Sequence, residues 1–119
     1  MANLPEAVAA VCRCTQTRRQ FGIEFRPVRE GEWRSLWAFP ISEEDAQFEG
    51  FDETVIEGNI VYDEHYNGCL GCGIRGFTVC VCGKLSCGTL DGNIFHCPWC
   101  GHSGKVTYGK IAFRAGGNF

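Results

Sequence analysis

The chain has 119 residues, 45% of them hydrophobic and 21% charged, with a formal net charge of −3. That length holds one modest domain or two small subdomains, and the balance of residue types excludes wholesale disorder. No apolar run approaches the roughly 20 residues that a membrane-spanning helix needs, and the Ala/Val stretch near the start has no basic flank before it, which argues against a secretory leader.

In chain order, Cys12-Arg13-Cys14 comes first, two thiols beside an expected N-terminal strand. In FGIEFRPV, Phe21, Ile23 and Phe25 alternate with Gly22, Glu24 and Arg26, the period of a strand. WRSLWAFPI follows, with Trp33, Ser35, Trp37, Phe39 and Ile41 on one face, Leu36 and Ala38 on the other, and Pro40 to end it or mark an edge. Ser42, followed by Glu43, Glu44 and Asp45, predicts a short helix stopped by Gly50. TVIEGNIVYD is strand-like again, with a turn or bulge signal at Gly58-Asn59. KVTYGKIAFR near the C-terminus predicts one or two short strands. The expected fold class is small and mainly β, with a β-rich part over residues 1–64 and a zinc-ribbon-like part over 65–119, integrated into one domain.

Nine cysteines carry the functional signal. Their spacings are short and repeated: Cys12/Cys14, Cys69/Cys72, Cys80/Cys82/Cys87 and Cys97/Cys100. Thiols two or three residues apart close strained disulfide loops but chelate metals well, and an odd count does not suit a disulfide framework. A metal-bound set in turn implies a reducing, cytoplasmic setting. Cys69-Leu-Gly-Cys72-Gly and Cys97-Pro-Trp-Cys100-Gly each form a knuckle, two sulfurs turned about one ion, and 24 residues lie between them. Tetrahedral thiolate coordination of that kind suits zinc.

Two wirings compete. The outer knuckles share one ion, or Cys80/Cys82 take the place of Cys69/Cys72 beside the last knuckle. The three inner thiols need a fourth partner from Cys12, Cys14, His65, His96 or His102. Two four-thiol sites use eight of the nine cysteines, which favours Cys12 or Cys14 over the histidines. Two zinc ions are expected, and each four-thiolate site adds about −2 of charge, taking the total to roughly −7. Such a charge repels nucleic acid unless Lys and Arg gather on one face.

The run YNGCLGCG, FTVCVCGKLSC and CPWCG, over residues 66–101, resembles the C-terminal metal-binding domain of TerY-type proteins, which belong to bacterial tellurite-resistance and stress systems. The resemblance implies a zinc-ribbon-related module with eight metal-chelating positions for two ions. It also implies a protein partner of the von Willebrand A, kinase or phosphatase kind, although the sequence contains no von Willebrand A domain of its own. The expected function is a zinc-stabilised interaction or adaptor module with no catalytic residues. The alternatives are a nucleic-acid-binding zinc ribbon, using the cluster Arg13, Arg18 and Arg19, and a redox site holding iron or binding soft oxyanions such as those of tellurium through its thiols.

Overall fold

The computed structural model describes residues 8–42, 55–107, 109 and 111–114. The helix expected after Ser42 lies outside them. Nine strands are described: β1 (Val8–Arg13), β2 (Gln20–Arg29), β3 (Glu32–Pro40), β4 (Val55–Tyr62), β5 (Phe77–Val79), β6 (Leu85–Cys87), β7 (Ile94–His96), β8 (Ser103–Lys105) and β9 (Ile111–Arg114). Seven form one sheet in the order β5-β6-β1-β2-β3-β4-β9, and β7 and β8 form a separate two-stranded ribbon. The fold is thus small and mainly β, and its large sheet mixes strands from both sides of residue 64.

The alternating pattern of β2 buries Phe21, Ile23 and Phe25 completely. These three side chains start the core, and the sheet curls about them until its end strands β5 and β9 come into contact. Phe25 spans that curl, since its ring meets Phe77 of β5 at 5.7 Å and Phe113 of β9 at 5.4 Å. Tyr62 and Tyr66 stack at 5.8 Å and both touch Phe77, which extends the aromatic core to one end of the sheet.

β3 departs from the strict alternation expected of it. Trp33 and Ser35 face the core, yet Trp37 is 48% exposed and Ala38 is buried. The pairing with β2 slips between Glu24↔Trp37 and Phe25↔Ser35, so Leu36 is an inserted residue. A bulge of this kind reverses the facing of every side chain beyond it. Pro40 ends the strand, as expected.

Gly58 marks a change of partner in β4. Residues up to Gly58 pair with β9, antiparallel, and those from Asn59 pair with β3, parallel. At φ +125° the glycine sits under the Gly31 carbonyl, where a Cβ would collide with backbone. The same carbonyl accepts a bond from the Asn59 N–H at 2.9 Å.

Removing the ring that ties both sheet ends together should be costly, whereas the displaced tryptophan should be dispensable. Phe25→Ala is expected to lower stability by about 3–5 kcal/mol, and Trp37→Ser to change it by less than about 1 kcal/mol. Denaturant melts of the metal-loaded protein measure both.

Candidate metal centres

The parallel pairing of β1 with β6 matches Cys12 to Leu85 and Arg13 to Ser86. The next residue on each strand is a cysteine, so Cys14 and Cys87 leave the sheet side by side. The loop from 69 to 74 covers them and supplies Cys69 and Cys72. These four sulfurs lie within 4.8 Å of one another and form the first centre.

The second centre grows from the other end of the same hairpin. β5 and β6 pair antiparallel, and their connecting turn carries Cys80 and Cys82, while β7 and β8 are joined by the loop that carries Cys97 and Cys100. These four sulfurs also lie within 4.8 Å of one another. Of the two wirings weighed from spacing, the structure brings together the one that joins Cys80/Cys82 to the last knuckle. The Cys69/Cys72 knuckle instead meets Cys14 and Cys87.

All nine cysteines are unbridged. Cys72 and Cys87 are 3.8 Å apart, Cys80 and Cys100 3.5 Å, and Cys82 and Cys97 3.9 Å. A disulfide needs about 2.05 Å, whereas sulfurs at the corners of a zinc tetrahedron, about 2.3 Å from the ion, are about 3.8 Å apart. The thiol sets therefore fit a tetrahedral, thiolate-binding ion, and each could hold one.

Local backbone geometry explains why the thiols converge. In the Cys69 knuckle the Gly71 N–H donates to Sγ at 3.3 Å, and the Gly73 N–H closes the turn on the Cys69 carbonyl at 2.8 Å. The Cys97 knuckle repeats this with the Trp99 N–H at 3.4 Å and the Gly101 N–H at 3.0 Å. Gly73 and Gly101 have φ of 83° and 82°, a region that glycine enters freely. A single-cysteine version of the turn forms at Cys14. There the Thr17 N–H donates to Sγ at 3.4 Å, and Arg18, at φ 63°, closes the turn with an N–H bond of 2.9 Å to the Cys14 carbonyl. Cys87 takes its N–H from Thr15 at 3.3 Å. Gly71 lets two of these loops meet, because a Cβ there would strike Cys14 and Thr17.

The electrostatics of each set divide its thiols. Burial opposes charge on Cys14, yet hydrogen bonds from Thr17 and the Gln16 N–H hold its pKa down at about 6. Burial likewise opposes charge on Cys97, and the N–H groups of Cys100 and Trp99 lower it to about 7. Burial pushes Cys69 and Cys80 up to about 12. Each set thus joins a thiol whose charged form is favoured by hydrogen bonds with one whose charged form burial opposes.

Cys12 stands outside both sets. It is fully buried, and burial together with the nearby Cys87 and Cys69 sulfurs raises its pKa well above the ordinary thiol value. The side chain is a small core residue beside Tyr66. None of the histidines joins either set. His65 pairs with Asp63 at 3.1 Å, His96 bonds Ser103 at 2.7 Å, and His102 is exposed.

The two centres differ in exposure. Cys14 and Cys87 are buried, whereas Cys82 and Cys100 are exposed. The second centre is anchored to the sheet through Trp99, whose Nε1–H donates to the Leu85 carbonyl at 2.8 Å. Arg13 and Lys84 lie against the Trp99 ring at 4.2 and 4.6 Å, and Arg13 also donates to the Pro98 carbonyl at 3.1 Å.

The chain matches no family model, no curated protein and no solved structure.

Native mass spectrometry of single variants tests the partition of the thiols. Cys14→Ser and Cys97→Ser should each retain one of two ions, and Cys12→Ser should retain both. The ion left in Cys14→Ser, held by the exposed centre, should pass to a chelator faster than the ion left in Cys97→Ser. Binding also competes with protons, so affinity should fall as pH falls. Because Cys14 and Cys97 are already substantially deprotonated near neutrality, fewer than four protons should leave per zinc at pH 7. Calorimetry in buffers of different ionisation enthalpy counts them, and a value of four would contradict the hydrogen-bonded thiolates.

Proposed function

We propose that the chain is a zinc-stabilised protein-interaction module in which both ions act as structural cross-links. The observation that carries this reading is the composition of the two sets: four thiols each, at tetrahedral spacing, with no histidine or carboxylate in the ligand set. A catalytic zinc usually keeps an open position beside nitrogen or oxygen ligands, whereas closed four-sulfur sites serve folding. A structural zinc site contributes about 10–16 kcal/mol in small domains, comparable with the whole stability of a typical domain, about 5–15 kcal/mol. The short strands β5 to β8, of three residues each, could not hold their loops together by sheet pairing alone.

Several of the arginines are paired with groups of the same chain, which supports a protein partner over nucleic acid. Arg13 packs on Trp99, Arg34 pairs with Asp63 at 3.3 Å, Arg29 pairs with Glu32 at 3.2 Å, and Arg75 donates to the Asp63 carbonyl at 3.0 Å. The likeness of the cysteine run to TerY-type modules leads us to look for the partner among von Willebrand A, kinase and phosphatase proteins of a bacterial stress system, in the cytoplasm.

Metal removal separates this reading from its rivals. The protein purified from its own host should be colourless and carry two zinc ions. Stripping both with a chelator should abolish its near-ultraviolet circular dichroism, and added zinc should restore it. A red protein with a visible iron–sulfur charge-transfer band, or a stripped protein that keeps its fold, would overturn the assignment.

A further inference from the structure

The two thiol sets have the same composition but are shielded differently. In the first set every sulfur has a donor from a neighbouring loop. The Thr17, Gly71 and Thr15 N–H groups lie 3.4, 3.3 and 3.3 Å from Cys14, Cys69 and Cys87, and the Thr89 hydroxyl lies 3.2 Å from Cys72. Three of these cysteines are buried and Cys72 is half-buried. Hydrogen bonds that stabilise a thiolate make it a weaker nucleophile, and burial bars a reagent in solvent from reaching it.

The second set lies open on one side. Cys80 and Cys97 are buried, whereas Cys82 and Cys100 are exposed. The two short sulfur contacts, Cys80 to Cys100 at 3.5 Å and Cys82 to Cys97 at 3.9 Å, each join one exposed sulfur to one buried sulfur. Both contacts run between the β5–β6 turn and the β7–β8 loop, so neither is a bond within a single knuckle. Closing each pair to a disulfide, about 2.05 Å, asks for a sulfur movement of under about 2 Å. An exposed sulfur beside a buried one is the arrangement a reversible thiol oxidation needs, the first to meet the oxidant and the second to resolve the product.

We propose that the second set is a peroxide-modification site, at which oxidation forms Cys80–Cys100 and Cys82–Cys97 with release of the bound ion, while the first set keeps its own. The exposed sulfur of each pair attacks hydrogen peroxide: an S–O bond forms, the O–O bond breaks and one oxygen leaves as water. The buried sulfur then attacks the sulfenic sulfur: an S–S bond forms, the S–O bond breaks and the second oxygen leaves as water. Over both pairs, two peroxides take up four electrons from the four thiolates and four protons from solvent, and become four waters. The disulfides keep the same two loops joined, so the oxidised protein holds its fold while the surface around Trp99, between Cys97 and Cys100, is reshaped. This inference deepens the interaction-module reading and rests on its two metal centres.

Native mass spectrometry of the two-zinc protein during exposure to a small excess of hydrogen peroxide tests the proposal. One ion should leave at least about tenfold faster than the other, and the denatured chain should become about 4 Da lighter. Peptide mapping after alkylation without reduction should find Cys80 bonded to Cys100 and Cys82 bonded to Cys97, with Cys14, Cys69, Cys72 and Cys87 alkylated. A dithiol reductant and added zinc should then restore the second ion. Starting from a two-zinc protein, retention of both ions, their loss at one rate, or a gain of oxygen mass in place of disulfides would overturn the proposal and leave the metal reading standing. Disulfides within the first set, or between Cys97 and Cys100, would overturn it as well. A protein that holds no ion before peroxide is added would sink the metal reading itself.

Discussion

Two residue pairs of a parallel ladder, Cys12 with Leu85 and Arg13 with Ser86, set the positions of the chemistry in this molecule. They bring an N-terminal strand against a short hairpin more than seventy residues later and leave Cys14 and Cys87 adjacent as both strands end. Parallel pairing over so few residues is weak by itself. A metal ion shared by Cys14, Cys87 and the Cys69/Cys72 knuckle would lock it, so the sheet and the first centre support each other. The β5–β6 hairpin then transmits this placement to the second centre, with Cys87 at its base and Cys80 and Cys82 at its tip.

The cost of gathering sulfur charge is met locally. Backbone N–H groups of Gly71, Thr17, Thr15 and Trp99 point at four of the sulfurs, and such bonds favour the thiolate over the thiol. Cys12 has a different fate although it lies only two residues from Cys14. Burial and the nearby Cys87 and Cys69 sulfurs outweigh the one backbone N–H that favours its charged form, that of Arg13, so it is held as a neutral thiol among Tyr66, Cys69 and Leu85 in the core. Position within the ladder, rather than chemistry, separates a member of the four-thiol set from a core residue here.

Much of the fold could be read from the sequence because period-two patterns report burial directly. Phe21, Ile23 and Phe25 declared β2, Pro40 ended β3, and the Gly58 signal fell where β4 changes partner. The facing of Trp37 was not legible, since the bulge at Leu36 depends on pairing with β2 and leaves no local mark. The CxxC knuckles announced thiol sets that could hold a metal, and their glycines announced the turns. The wiring was hidden because it depends on contacts remote in sequence. Spacing allowed Cys80/Cys82 to join the last knuckle, but only the β1–β6 register shows that Cys14 and Cys87, two single cysteines, stand in for a missing knuckle. The turn Cys14-Thr-Gln-Thr-Arg18 closes like a knuckle, yet with Arg18 in the place of glycine it gave no recognisable signal.

Zinc K-edge X-ray absorption on the loaded, full-length protein examines the central claim most directly. Two centres built as described predict four sulfur scatterers per zinc at about 2.3 Å and no nitrogen or oxygen in the first shell. A first shell containing nitrogen or oxygen, or a mean coordination below four sulfurs, would contradict the two all-thiolate centres on which the fold is built.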